Sequence, residues 1–400
     1  MSTYNLKSVD ALDAARIIID QIDPERLVPG GTDTCIHDLV KYSETSSLAI
    51  VGVTESDSAQ LGQWCSAQVA DESVPFLPVA RFSRTREARF LRIPHSVRLA
   101  WGLVRFRKQI PRGVLQTHRI ETGVVVSAVV RPKRLVQFIH NDSTGLTGGN
   151  SDSLWKYLGF LYRACEKVVF RRADQVVLFN QSDSARIKEM YPRLTVAKTW
   201  FDPAVFTLKR KQWKSSDPLK VVFVGRLESQ KDPSLALATF AEVHKRYPNA
   251  QMVFVGEGSL RSTIASQAND KDIAAHVVFA GALSRAEVAR IMADSTVMLM
   301  TSHYEGSPRV MAEAGAVGLP VVATNGADPD HVLDSEFGNG VRVAAREPRE
   351  LASAVLLAAN FDPQQCANAV ADRSAPVAVS RLLAVPDDGP LRAPNSTDNE

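Results

Sequence analysis

Short apolar, β-rich runs alternate with amphipathic stretches along most of this chain. In the second half the runs fall at 220–224, 252–255, 277–279, 296–300 and 321–323. Helical patterns fill the gaps, with starts near Asp232-Pro233, Gly258, Ser284 and Ser307. Strand and helix alternating with short loops predict a parallel, doubly wound sheet. The first half repeats the scheme less cleanly. Runs at 47–54, 74–79, 114–118, 135–140, 173–179 and 196–200 read as strands, and 155–170 as a long helix. Residues 17–19 read as a first buried strand, with a short helix as the other reading. Ligands of such sheets bind where the strands end at their carboxyl edge, so the loops there hold the candidate chemistry.

The stretch from Thr301 to Thr324 is the most informative. An apolar run ends at Met300, and Ser307-Pro308 then reads as a helix start, with a hydroxyl N-cap and Pro at the first helical position. Gly318 and Pro320 close that helix before the next strand. Glu305 therefore sits in the strand-to-helix loop and Glu313 about two turns into the helix. The N–H groups of Gly306, Ser307 and the first turn form an anion-friendly end. Two carboxylates that accept from hydroxyls, beside donors that hold phosphate, suit a sugar nucleotide. On spacing alone, an ordinary loop with two solvated glutamates reads the same.

Other strand ends add cations. Arg226 leaves the strand at 220–224, and Lys231 precedes a helix capped by Asp232, so both point into the crevice of Glu305. Gly30 and Gly31 precede a helical pattern, where paired glycines allow a close ligand approach and a plain turn is the rival reading. The run at 135–140 ends in His140, and the run at 114–118 in His118. Gly256-Glu257-Gly258 lacks the third glycine of a dinucleotide fingerprint and reads as a turn at a helix start, which disfavours a nicotinamide enzyme. Asp328 and Asp330 form an Asp-x-Asp tripeptide that is common by chance.

Glu305-Gly306-Ser307-Pro308, followed in register by Glu313 through Val322, resembles the Glu-x7-Glu signature of the retaining family 4 glycosyltransferases. The likeness is tight over Val221–Val343 and loose over Arg16–Phe206. Gly315 departs from it, where the family usually has Met, and Pro308 is a variant of a common Gly. The resemblance implies an α/β, GT-B architecture: two Rossmann-like doubly wound domains facing across a cleft. It implies that Arg226 and Lys231 hold the donor diphosphate and that the Gly30-Gly31 loop lies near it. It implies that His140, or alternatively His118, faces the donor sugar. By the same resemblance the Gly281-Ala282 loop contacts the nucleotide base and Glu313 the ribose, with Glu305 left for the sugar hydroxyls. Gly306, Ser307 and Pro308 complete the donor site. The reaction implied is transfer of a hexose from a nucleotide-diphosphate sugar to an acceptor hydroxyl, with retention, in cell-surface glycan, polysaccharide or glycolipid synthesis. No metal and no other cofactor are expected. A GT-B epimerase or phosphorylase, or a non-catalytic sugar-nucleotide-binding regulatory subunit, are the alternatives.

Composition refines the setting. Four hundred residues suggest two domains: 1–208 on the acceptor side, a polar linker at 209–218, and 219–374 for the nucleotide sugar. Residues 375–400, rich in Pro, Asp and Asn toward the end, read as a disordered tail. A net charge of +3 argues against a nucleic-acid binder. The four cysteines form no CxxC pair, so a reducing, cytoplasmic setting is the default. No run is long enough to span a membrane. Arg81–Arg112 holds ten basic residues interleaved with apolar ones, a pattern that fits peripheral contact with anionic lipid at the inner membrane face and a glycan or lipid-linked acceptor. A core helix with a solvated arginine face is the other reading.

Overall fold

The computed structural model describes residues 16–26, 31–43, 48–69, 72–82, 94–140, 157–181, 183–192, 194–329 and 331–383. Within them the chain forms two sheets. The first takes β1 (Arg16–Ile19), β2 (Leu48–Thr54), β3 (Cys65–Val69), β4 (Glu72–Arg81), β5 (Val114–Thr117), β6 (Arg134–Ile139), β7 (Gln175–Leu178) and β8 (Leu194–Val196). Their spatial order is β3-β4-β2-β1-β5-β6-β7-β8. Every pairing is parallel except β3 with β4. The second takes β9 (Lys220–Val224), β10 (Gln251–Val255), β11 (Val277–Gly281), β12 (Val297–Met300), β13 (Val321–Thr324) and β14 (Gly340–Val343). Its order is β11-β10-β9-β12-β13-β14, all parallel.

Both faces of both sheets are covered, which is why the central strands read as continuous apolar runs. In β1, Ile17 and Ile19 enter one core and Ile18 the other. In β12, Val297 and Leu299 face one side and Met298 and Met300 the other. Each such side chain contributes roughly 1.5–3 kcal/mol on burial. This is the expected pair of doubly wound sheets. Their order reverses beside β1 in one and β9 in the other, and strand-end loops converge at both points.

Several boundaries differ from those expected. The edge strands β3 and β14 have no counterpart in the sequence reading. The strand expected at 196–200 ends at Val196. The chain also crosses between halves before residue 208: Trp200 packs in the first half's core, but Phe201 and Phe206 pack in the second's. Arg210, expected in a free linker, is buried and donates to the carbonyls of Ser295, Gly318 and Ala359. Residues 375–383 are not a disordered tail. They form the helix Ala375–Leu383, which returns to the first half and buries Ala375, Val379 and Leu382 there. Gly315, the departure from the family pattern, has a packing reason: a Cβ there would lie 2.9 Å from Val370 Cγ1 and 3.2 Å from the Cys366 carbonyl. A larger residue would push the helix Pro363–Asn368 away. No described helix is long and apolar enough to cross a membrane.

Candidate active site

A cavity of about 600 Å³ lies between the two halves. From the second half it is lined by Arg226, Lys231, Ala282, Glu305, Gly306, Ser307, Pro308 and Glu313, and from the first half by Gly31 and His140. Gly281 does not line it; its carbonyl accepts from Gly256 N–H at 2.8 Å, which sets the bend that presents Ala282. Gly30 lies outside the described residues. His118 is set behind His140, so of the two candidates only His140 lines the cavity.

The second half holds its loops rigidly. Lys231 Nζ forms an ion pair with Glu305 Oε1, and Ser302 Oγ donates to the same oxygen at 2.6 Å. Arg226 Nη2 donates to Gln230 Oε1 at 3.0 Å, and Gln230 Nε2 donates to the Tyr304 carbonyl at 3.1 Å. His303 N–H donates to the Gln230 carbonyl at 2.8 Å. The β9 and β12 loops are thus stitched together beside Glu305. Arg346, which sequence reasoning missed, clamps them from behind. Its guanidinium donates to Asp232 Oδ2 at 2.6 Å and to the carbonyls of Thr301 and Ser302 at 2.8 and 3.1 Å. Asp232 has φ +45° and accepts from Leu235 N–H at 3.1 Å, capping the helix Pro233–Arg246. Gly256 lines the cavity and has a packing reason to be glycine. Its φ is +130°, and a Cβ there would meet the Gly225 carbonyl at 2.1 Å. Glycine lets the β10 loop press against the Arg226 loop.

The helix carrying Glu313 spans Arg309–Ala316, so its N-cap is Pro308 and not Ser307. No side chain caps it. Ser307 Oγ instead lies 3.1 Å from Thr199 Oγ1 across the halves. An uncapped helix start facing the cavity offers the N–H groups that an anion uses. Glu313 is little more than one turn into the helix, which starts one residue later than expected.

A second charged group, also missed, joins the halves. Asp38, on the helix Gly31–Lys41, is 1% exposed. It accepts from Arg285 Nη1 at 3.1 Å and Trp200 Nε1 at 2.9 Å, and it pairs with Arg309. Asp202 accepts from Lys41 at 2.8 Å and from Tyr42, and lies 3.5 Å from Arg285. Arg285 Nη2 lies 3.7 Å from Glu313 Oε1. Burial raises the Glu313 pKa above the ordinary carboxylate value, against the pull of Arg309 and Arg285. Burial disfavours the Arg285 charge, but Asp38, Glu313 and Asp202 outweigh it and hold the group above its usual value. Burial likewise opposes the Asp202 charge, and the Lys41 and Tyr42 bonds outweigh it. Arg309 sits inside the recognised stretch and Arg285 just after a capping serine, but no local pattern pairs either with Asp38.

The Asp328 carboxylate accepts from the Val332 and Leu333 N–H groups at 2.8 and 3.0 Å. Asp330 lies outside the described residues.

Comparison with known proteins agrees with this geometry. Residues 205–369 match the family described as glycosyl transferases group 1. Glycogen synthase of Mycobacterium tuberculosis is 27% identical over 197 residues, 48% of this chain and 47% of that protein. The chain spans about half the length of the curated relatives it matches. Sucrose-phosphate synthase from Thermosynechococcus elongatus superposes with a TM-score of 0.72 at 15% identity, covering 92% of this chain and 97% of that one. Anabaena HepE, in complex with UDP and glucose, gives 0.68 at 17%, covering 93% and 98%. The chain has the GT-B fold, two Rossmann-like sheets facing across a cleft, and its residues 205–369 resemble the glycosyl transferases of group 1.

Proposed function

We propose that the protein is a retaining glycosyltransferase that moves a hexose from a nucleotide-diphosphate donor to an acceptor hydroxyl. The observation that carries this is the convergence of Arg226, Lys231 and Glu305 beside the uncapped helix start in one cavity. As the glycosidic C–O bond breaks, negative charge grows on the diphosphate and positive charge on the sugar ring. Arg226, Lys231 and the helix N–H groups stabilise the first. Glu305 receives the sugar hydroxyls and lies near the second. Ser302 and Lys231 hold it in place before the donor arrives. Glu313 takes the ribose hydroxyls, and His140 faces the sugar. A structure titled as a complex with UDP-glucose shares this fold, which supports a sugar-nucleotide ligand.

The test is incubation with a panel of sugar nucleotides and acceptors, with NMR of the product's anomeric coupling. An inverted product removes the retaining assignment. Product formed without an acceptor points to an epimerase, and binding without turnover to a regulatory subunit. Catalysis on this reading needs no divalent metal, because fixed cations stand where the diphosphate charge develops. Turnover restored by Mg²⁺ or Mn²⁺ after EDTA treatment overturns that.

The acceptor side points to a lipid-linked substrate. The helix His95–Arg105 buries Leu99, Gly102 and Leu103, yet its outer face carries Val97, Trp101 and Val104, with Trp101 65% exposed. Beside it Arg107, Lys108, Arg112, Arg131 and Lys133 line a groove floored by Ile110 and Val130. An apolar stripe rimmed by cations fits an anionic bilayer surface, where each basic residue contributes about 1 kcal/mol. Flotation with anionic but not neutral liposomes is expected. Equal behaviour in both removes this mode. Residues 83–93, part of the basic stretch, lie outside the described residues.

A further inference from the structure

At the cavity's inner wall, Cys35 and His140 meet a third side chain set behind them, His118, in a grouping the transfer reaction does not require. Cys35 lies on the helix Gly31–Lys41, His118 follows β5, and His140 follows β6. One ligating atom of each lies within 4.8 Å of the other two. His118 Nδ1 and His140 Nε2 are 2.8 Å apart. Cys35 and His140 both line the cavity, so a small ion that enters it can reach them. We propose that Cys35, His118 and His140 form a site for a borderline-soft divalent cation of the zinc class, with its fourth coordination position open to the cavity.

The donor set fits that class. One thiolate and two imidazoles are ligands that zinc accepts, and hard cations such as Mg²⁺ do not favour them. Tetrahedral zinc holds such ligand atoms roughly 3.3–3.7 Å apart. The two nitrogens would open by about half an ångström and the sulfur would close by about 1 Å, within the reach of side-chain rotation. Both rings are in the ligating state. Burial, with Arg119 and Arg16 nearby, lowers the His118 pKa to about 3, and burial together with His118 depresses that of His140. Neutral imidazoles present lone pairs.

Gln116 supplies a second, independent observation. Its side chain is fully buried, its Nε2 lies 2.8 Å from His118 Nε2, and its Oε1 has no partner. In the present arrangement the amide N–H meets the His118 Nε2 lone pair, so the ring proton sits on Nδ1, shared with His140. A half-turn of the amide puts the orphaned oxygen on Nε2. The ring proton then moves to Nε2, and both facing nitrogens are free to bind an ion. The buried amide thus fits two states of the pair, one holding a proton and one holding a metal, and in the second it serves as the outer support that metal-bound histidines use. Binding also releases the Cys35 thiol proton to solvent. Burial holds the Cys35 pKa well above the ordinary thiol value, against Arg309 and with Asp38 and Asp20 adding to it, so the bound cation itself must displace the thiol proton. A buried histidine hydrogen bond beside an inert thiol is the competing account.

Cobalt titration of the metal-free full-length chain decides between them. The proposal expects one Co²⁺ per chain, with a near-ultraviolet thiolate-to-cobalt charge-transfer band that Zn²⁺ displaces. Cys35→Ser removes the band, whereas Cys65→Ser and Cys165→Ser, at half-buried thiols elsewhere, keep it. Gln116→Leu, which removes the amide against His118 and keeps all three ligands, weakens Co²⁺ binding about tenfold. No band in the wild-type chain, or a band that survives Cys35→Ser, overturns the proposal. This optical readout does not depend on turnover, so its failure is distinct from failure of the glycosyltransferase reading. Resting on that reading, an occupied site withdraws His140 from the donor. Zn²⁺ should then inhibit transfer, and the inhibition should disappear in Cys35→Ser.

Discussion

Two charged clusters meet in one cavity, and they are built on different plans. Arg226, Lys231, Asp232, Glu305 and Arg346 all belong to loops of the second sheet, stitched to one another by main-chain and side-chain bonds. Asp38 from the first half pairs with Arg285 and Arg309 of the second, Lys41 and Tyr42 hold Asp202 at the crossing, and Arg285 lies near both Asp202 and Glu313. The first cluster keeps its geometry however the halves sit. The second exists only while they are apposed. The groups assigned to charge stabilisation are therefore held within one half, whereas the carboxylate assigned to the ribose sits beside arginines that Asp38 of the other half also pairs with.

The largest effect should come from unbalancing the second cluster. Asp38→Ala leaves Arg285 and Arg309 buried without their main counter-charge, and loss of one partner of a buried pair costs about 3–5 kcal/mol. Urea unfolding should show this as a lower midpoint at unchanged slope. A loss below about 1 kcal/mol would mean that the cross-half cluster does not hold the halves together. Next come Arg226→Ala and Lys231→Ala, each expected to lower kcat/KM by about 10²-fold with the melting curve preserved. Near-normal rates would end the diphosphate assignment. Arg346→Lys keeps a charge but loses the fork that grips Asp232 and two carbonyls. It should lower kcat roughly tenfold with donor KM little changed, because it displaces the loops rather than a contact to donor. A change in KM alone would make Arg346 a binding residue. The smallest effect is expected from Glu313→Gln, a roughly fivefold rise in donor KM from replacing a charged acceptor by a neutral one. Glu305→Gln should instead act on kcat. The reverse pattern would mean the two glutamates have exchanged roles.

The first cluster was legible in sequence because its geometry is local. Apolar runs locate β9 and β12, parallel strands end at one edge, and whatever follows them meets there. Arg226, Lys231 and Glu305 needed nothing more. Arg346 follows β14, a strand of four residues opened by glycine, and with that strand unread its loop had no place. The second cluster was illegible for another reason. Asp38 sits among Ile36, Leu39 and Val40 and reads as the wet face of an amphipathic helix, yet its partners lie 162 to 271 residues away. The helix Ala375–Leu383 was hidden by the polar sequence that follows it, which biased the whole segment toward disorder. Ser307 was misplaced by one residue, because a serine before proline satisfies the capping rule equally well whether it caps or only neighbours the cap.

The last described helix, Ala375–Leu383, packs in the same half as the first described strand, β1. It leaves the first half at Trp200-Phe201 and re-enters at Ser374-Ala375, and these two passages lie side by side. Phe201 N–H donates to the Arg373 carbonyl at 3.0 Å, and Ala375 N–H donates to the Phe201 carbonyl at 2.8 Å. The second half is thus an insertion with adjacent ends, a cassette set into a continuous host. Such an arrangement lets the cassette be exchanged for that of a relative with another sugar preference, provided both junctions are grafted as one paired unit. A graft at the first junction alone would strand the closing helix and expose the host core it covers.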